Sequence, residues 1–98
     1  MIKHIAMMRW HEDTTDEQIE QVKAALATMP GLIPQIKSYV FGSDLELSEG
    51  TADFAVVADF DSVEDYRIYS DDQRHKDIIT AHILPIVDQT YRVQLTVD

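Results

Sequence analysis

Four stretches of the chain are rich in apolar and β-forming residues, and each stretch predicts a β-strand. Successive side chains of a strand point to opposite faces of the sheet, so each strand presents two sets of alternate residues. The predicted strands are residues 2–10, 35–42, 53–60 and 89–97. The second alternates imperfectly, so a bulge or a late start is allowed there. The first and third carry apolar residues in both sets, which indicates that both faces of the central sheet are covered.

Apolar residues recur at three- and four-residue steps in a first stretch between the strands, residues 15–29, which predicts a helix. Thr15 and Gln18 have the spacing of a capping box at its start. The stripe expected to face the core consists of Ile19, Val22, Leu26 and Met29. Pro30 and Gly31 follow directly and are expected to end this helix.

Two further helical stretches lie between the third and fourth strands. Residues 63–69 follow Asp61 and Ser62, whose side chains are suitable N-caps, and residues 70–72 interrupt the pattern. Residues 74–87 form the second stretch and contain Pro85, which is expected to kink or end the helix. The element order is therefore β-α-β-β-α-β, the ferredoxin-like α+β plan of one four-stranded antiparallel sheet with helices on one face.

The helices of such a plan leave the second face of the sheet without a partner within the chain. Residues 1–98 are expected to form a single domain, since there is no linker or repeat. On the uncovered face, the predicted strands place Ile5, Met7, Ala55 and Val57. A second copy of the chain would bury these residues, so we expect a homodimer in which two sheets pack face to face.

Composition and charge exclude several classes of function. The chain has 18 acidic and eight basic residues, a formal net charge of −10, which argues against binding to nucleic acid or to an anionic membrane surface. No apolar run approaches the length of a membrane span and no signal-like stretch opens the chain, so a cytoplasmic location is expected. The absence of cysteine excludes disulfides, thiolate chemistry and cysteine-ligated metals.

His4 is the candidate for chemistry in the first strand, where it shares one face with the apolar residues Ala6 and Met8. Taken alone, this pattern favours a buried core histidine satisfied by one hydrogen bond. His11 in a loop and His82 on a helix are expected to have no catalytic role. No two histidines have the i, i+4 spacing typical of metal ligands, so no metal site is predicted.

Several landmarks along the chain resemble the stress-responsive A/B barrel (Dabb) family, whose members are small dimeric α+β barrel proteins. They are Lys3-His4-Ile5 in the first strand, Ile33-Pro34 before the second, Gly42 at its end, the strand 53–60, and Tyr69 six residues before His75. The resemblance covers essentially all 98 residues. It implies a homodimer whose two sheets form a barrel, with a small pocket between sheet and helices in each subunit.

The resemblance also implies candidate catalytic residues and a reaction. A plant polyketide cyclase of this family closes a linear polyketide thioester by an aldol condensation, and its site residues correspond here to His4, Tyr69 and His75. A neutral His75 would remove a proton beside a carbonyl, Tyr69 would orient it or donate to the carbonyl oxygen, and His4 would polarise a second carbonyl. Such chemistry on a polyketide-like or aromatic carbonyl substrate requires no cofactor and no metal.

The expected pocket is apolar apart from these three residues. Its substrate-binding residues are predicted to be Ala6, Met8, Val22, Leu26, Val56, Ile86 and Tyr91. Where the family commonly has His-Pro, this chain has Asp72-Gln73, and acidic neighbours are expected to favour the protonated form of His75. The larger aromatic residues of the cyclase are replaced by Val22 and Leu26, so the substrate is expected to differ.

Two other functions fit the same sequence. A non-catalytic small-molecule binder or stress-response dimer would use the same pocket without turnover. Haem or quinone oxygenases share the dimeric barrel and form a third class, but a shared fold does not by itself transfer an activity.

Overall fold

Four strands form one antiparallel sheet in the computed structural model, which describes all residues from Met1 to Asp98. The strands are β1 (Ile2–Trp10), β2 (Ser38–Ser43), β3 (Phe54–Phe60) and β4 (Val87–Thr96). Their order across the sheet is β2-β3-β1-β4. The first strand of the chain therefore lies in the middle of the sheet and pairs with the last strand, which lies at one edge. The predicted ferredoxin-like α+β fold is confirmed.

Four α-helices connect the strands. They are α1 (Asp16–Leu26), α2 (Met29–Leu32), α3 (Val63–Asp71) and α4 (Gln73–Ile78), and a π-helical segment, Ile79–Ile83, continues α4. Their apolar residues join those of the sheet in one core cluster of 14 buried side chains. The largest side chains that are fully buried there are Phe54, Phe60, Met29, Ile33 and Val22. None of the helices is long and apolar enough to cross a membrane.

The first predicted helix, residues 15–29, is shorter than expected and is followed by a separate turn of helix. Its start is as predicted, because the backbone N–H of Gln18 donates to Thr15 Oγ1 while that of Thr15 donates to Gln18 Oε1. α1 ends at Leu26, where Thr28 tightens the chain by donating from both its N–H and its hydroxyl to the Ala25 carbonyl. Pro30 then lies in the first turn of α2, where a missing N–H costs nothing, so it begins a helix rather than ending one.

The last helical stretch, predicted over residues 74–87, is also divided. α3 continues through Asp71, two residues beyond the predicted end at Tyr69, and only Asp72 leaves the helical conformation. Asp72 accepts from the backbone N–H of Arg74 and so caps α4. The helical run ends as a π turn at Ile83, with Pro85 just beyond it and Val87 already in β4, which agrees with the expectation that Pro85 would end the helix.

The second strand begins three residues later than predicted. Ile36 N–H donates to the Ile33 carbonyl, so residues 33–36 form a turn rather than the start of a strand. Pairing with β3 then runs from Ser38 opposite Asp59 to Ser43 opposite Phe54. The alternating burial of β3 shows which face the helices cover, because Phe54, Val56, Ala58 and Phe60 are buried while the residues between them are half-buried.

Candidate functional site

A cavity of about 480 Å³ lies between the sheet and the helices that follow β3. All four strands contribute to its wall, as do α1, α3, α4 and the π-helical segment. The cavity is lined by His4, Ala6, Met8, Leu26, Tyr39, Val56, Tyr66, Tyr69, Ser70, His75, Lys76, Ile79, Thr80, Ile83, Thr90 and Arg92. A cavity of this size and mixed lining is typical of small-molecule sites.

His4 reaches the cavity because every second residue of β1 faces the helices. His4, Ala6 and Met8 are all buried and all line the cavity. The side-chain amide nitrogen of Gln94, the residue opposite His4 on β4, donates to His4 Nδ1 over 3.0 Å. Nδ1 is therefore the acceptor of the ring, which leaves Nε2–H as its donor.

Burial keeps His4 neutral. Its side chain is only 6% exposed, and this desolvation, reinforced by the positive charge of Arg92 and by His75, lowers the pKa of His4 to about 4. At neutral pH the ring therefore acts as a neutral hydrogen-bond donor. It cannot offer a positive charge to a substrate, but its Nε2–H can polarise a carbonyl oxygen.

Tyr69 lies close to both histidines of the cavity. Its ring centroid is 6.2 Å from that of His4 and 4.2 Å from that of His75. Its hydroxyl is hydrogen-bonded to the hydroxyl of Tyr39 over 2.9 Å. Burial, together with Tyr39 and Tyr66, raises the pKa of Tyr69 far above its ordinary value, so the hydroxyl stays protonated at all physiological pH values. There is no hydrogen bond from Tyr69 to His75, so Tyr69 does not orient that ring in the way the sequence suggested.

His75 lies in the first turn of α4, where the cap at Asp72 fixes the start of the helix. Its Nδ1 is buried and has no hydrogen-bond partner. Burial lowers the pKa of His75, an effect reinforced by Arg92 and Lys76, while the Ser70 backbone and Asp72 act in the opposite direction. The net result is a neutral imidazole with an unpaired nitrogen at neutral pH.

The expectation that acidic neighbours would favour a protonated His75 is therefore wrong. Asp72 does raise the pKa of His75, but burial has the larger effect. Asp72 is also engaged elsewhere, since Arg74 donates to both of its carboxylate oxygens over 3.0 and 2.8 Å. Hydrogen bonds from Arg74 lower the pKa of Asp72 itself to about 2. The carboxylate of Asp72 thus forms its ion pair with Arg74 and not with His75.

Not every residue predicted to contact a substrate lies at the cavity. Ala6, Met8, Leu26 and Val56 line it as expected. Val22 and Ile86 do not, because they are packed in the core, with 0% and 4% of their side chains exposed. Tyr91 lies on the opposite face of the sheet, since it pairs with Met7 in the register of β1 and β4 and so shares the direction of that side chain.

The same register explains the residues that sequence reasoning missed. Thr90 and Arg92 flank Tyr91 in β4 and pair with Met8 and Ala6, so alternation directs them to the cavity face. The period of two separates Thr90 and Arg92 from Tyr91, but only the register with β1 shows which of these sets faces the cavity. Tyr39, Tyr66 and Lys76 carried no comparable signal, because their approach to the cavity depends on how β2, α3 and α4 are placed over the sheet.

A second concave region, of about 560 Å³, lies on the other face of the sheet. Met7, Phe54, Ala55 and Tyr91 line it, together with the loop between β2 and β3, from which Leu45 and Leu47 project with 77% and 84% of their surface exposed. It contains no histidine and, apart from Arg9 and Asp44, no charged residue. This region is apolar surface rather than a chemical site.

Comparison with known protein families decides the classification. The model of the stress responsive A/B barrel domain matches residues 2–97. The chain belongs to this family. The sequence resemblance is thereby confirmed, and no curated protein matches the chain.

Solved structures with the same fold have diverse descriptions. A dimeric ferredoxin-like protein of unknown function from Thermobifida fusca is 43% identical, with a TM-score of 0.89 over 98% of this chain and 90% of that one. A hydroxynitrile lyase from Passiflora edulis is 18% identical, with a TM-score of 0.86 over 99% and 93% of the two chains. An antibiotic biosynthesis monooxygenase is 11% identical, with a TM-score of 0.78 over 100% and 99%. The last two are similar in fold alone.

Proposed function

We propose that the cavity carries out cofactor-independent acid–base chemistry on a small carbonyl compound, in the form of an aldol-type ring closure of a polyketide-like or aromatic carbonyl substrate. The observation that carries this proposal is the neutral imidazole of His75, which lines the cavity with its ring centroid 4.2 Å from that of Tyr69. A neutral imidazole with a free lone pair is the state that a general base requires.

The other groups of the cavity supply what the remaining steps need. Removal of a proton beside a carbonyl places negative charge on the carbonyl oxygen, which must be stabilised by hydrogen-bond donors. The Nε2–H of His4 and the protonated hydroxyl of Tyr69 are donors that line the same cavity. Ala6, Met8 and Val56 exclude water around them, which strengthens such hydrogen bonds.

The functional unit under this proposal is a homodimer. The sheet face opposite the cavity exposes a continuous set of apolar side chains that the helices do not reach: Val40 is 62% exposed, Tyr91 59%, Leu95 45%, Val93 42% and Met7 41%. The predicted interface residues Ile5, Ala55 and Val57 lie half-buried among them. Burying this face against a second copy explains its composition, and the Thermobifida fusca protein is described as dimeric.

One observation favours the alternative of a non-catalytic small-molecule binder. The hydroxyl of Tyr69 already has a partner in Tyr39, and Nδ1 of His4 has one in Gln94, so two of the three polar groups are satisfied without a ligand. A binder would need only the shape of the cavity.

The same fold serves a hydroxynitrile lyase, which supports the view that lyase chemistry is compatible with it.

The test is a ring-closure assay on linear poly-β-keto thioesters of several chain lengths and on the corresponding free acids. His75→Ala should reduce turnover by roughly 10²–10⁴-fold, the loss expected on removing a general base. His82→Ala is the matched control, because His82 lies on the same helical run but does not line the cavity, and it should leave turnover unchanged. Equal rates for the native protein and His75→Ala, or no rate above the uncatalysed reaction, would favour the binding function instead.

A further inference from the structure

The charge of the cavity wall is opposite to that of the whole protein. The chain has 18 acidic and eight basic residues. None of the residues that line the cavity is an aspartate or a glutamate, whereas two, Lys76 and Arg92, are cationic. A wall without any carboxylate on so acidic a chain favours an anion over a neutral or cationic ligand.

Neither cation is engaged by the protein. Four of the other basic residues form ion pairs, namely Lys3, Lys23, Lys37 and Arg74, and Arg9 donates to the Thr51 carbonyl. Arg92 and Lys76 make no ion pair and no side-chain hydrogen bond, although carboxylates are abundant on this chain. An unpaired guanidinium in a cavity retains all its hydrogen-bonding capacity for a ligand.

The strand register places Arg92 where a ligand could reach it and the histidines together. Arg92 pairs with Ala6 on β1, whose side chain is only a methyl group. Gln94, the next residue of β4 on the same face, is hydrogen-bonded to His4. Arg92 is exposed, whereas His4 and Tyr69 are buried. The cation therefore lies at the mouth of the cavity and the acid–base groups lie deeper.

We propose that the ligand of this cavity carries a carboxylate, which Arg92 binds at the mouth while the apolar, carbonyl-bearing part reaches His4, Tyr69 and His75. The planar guanidinium fork matches the two oxygens of a carboxylate, which a single ammonium such as Lys76 does not. Arg92 is thus the residue that determines specificity for acids. This inference concerns the site of the proposed function and names its substrate class.

Matched acids and amides test the inference without any assay of turnover. The probes are 4-alkylbenzoates, from methyl to hexyl, and the 4-alkylbenzamides of the same shape, with binding measured by calorimetric titration. The native protein should bind the best benzoate more tightly than its amide. Arg92→Gln should weaken benzoate binding by about 5- to 30-fold, as expected for a partly exposed charge-assisted contact, and should leave amide binding unchanged.

Two further variants separate the guanidinium from general charge. Arg67→Gln removes one positive charge from α3 at a position that does not line the cavity and should change neither affinity. Arg92→Lys keeps the charge but loses the fork, so it should fall between the native protein and Arg92→Gln. Thermal melting of each variant establishes that it is folded.

The inference is overturned if Arg92→Gln weakens both probes equally or neither, or if no benzoate binds the native protein at about 10 mM, a concentration that would detect even millimolar affinity. These outcomes are separate from those of the ring-closure assay. Loss of carboxylate discrimination with His75-dependent turnover intact would refute only this inference. Discrimination without turnover would refute only the proposed reaction.

Discussion

The two faces of the sheet are built from the same strands and have opposite environments. On β1, His4, Ala6 and Met8 face the helices and are buried, whereas the neighbouring Met7 is 41% exposed. The helix-covered face combines apolar packing with a cavity that contains titratable groups, and the other face is mainly apolar and uncovered. The comparison shows that the surroundings of a strand residue depend mainly on which face of the sheet its side chain points to. That face changes from one residue to the next along the strand.

Substitutions of the adjacent residues Met7 and Met8 test the difference between the two faces most directly, and they should have the largest effect. Met8→Asp places an unpaired charge among buried apolar groups, so the free energy of unfolding should fall by about 3–5 kcal/mol, measured by urea denaturation. Met7→Asp introduces the same charge one residue away on the exposed face. It should leave the subunit folded and abolish the dimer, as measured by sedimentation equilibrium. Equal loss of stability in the two variants, or a native protein that sediments as a stable monomer, would contradict the assignment of the two faces.

Acid pH should destabilise the cavity face selectively. The pKa of His4 is about 4 in the folded chain and 6.5 without burial, so between these values the unfolded chain binds more protons. His4 therefore contributes stability that is fully present above about pH 6.5 and is lost as the pH falls to about 4, a change of about 3 kcal/mol. The lowered pKa of His75 acts in the same direction.

Urea denaturation across this pH range checks the effect. His4→Gln, which cannot titrate, should flatten the dependence of unfolding free energy on pH. A slope that persists unchanged in His4→Gln would show that His4 is not the group responsible.

The smallest expected effect concerns the tyrosines of the cavity. Tyr69→Phe removes the hydrogen bond to Tyr39 and should cost about 1 kcal/mol of stability. It should reduce turnover by about tenfold, less than His75→Ala, because one donor is lost and the base remains. Tyr66→Phe is the matched control, since Tyr66 also lines the cavity but its hydroxyl makes no hydrogen bond. The role given to Tyr69 is wrong if the two variants behave alike.

Short-range patterns sufficed for most of the architecture. Stretches of β-forming residues identified all four strands, and the spacing of Thr15 and Gln18 located the start of α1 to the residue. The helix ends were less accurate, because α1 ends at Leu26 through bonds from Thr28 and because a proline can begin a helix as readily as end one. Ends depend on a few local hydrogen bonds, whereas the periodic stretches are supported by every residue within them.

The candidate site was predictable only where a residue's direction follows from its own strand. His4, Ala6 and Met8 were placed correctly on β1, and the family resemblance indicated Tyr69 and His75. Tyr91 was assigned to the cavity in error, because assigning a face to β4 requires its register against β1. Residue packing determines the rest: Val22 and Ile86 have the right periodicity, but their side chains are wholly enclosed by core neighbours.

The sequence by itself determined the order of elements, the acidic balance, the absence of thiol chemistry and the presence of apolar residues on both faces of the central strands. Only the tertiary structure decided that His75 is neutral despite the acids beside it, because burial and the pairing of Asp72 with Arg74 depend on distances that no spacing along the chain encodes. It also decided that an unpaired Arg92 lines the same cavity as both histidines. Charge and protonation are set by what surrounds a group in space, and those surroundings come from elements that are far apart in the chain.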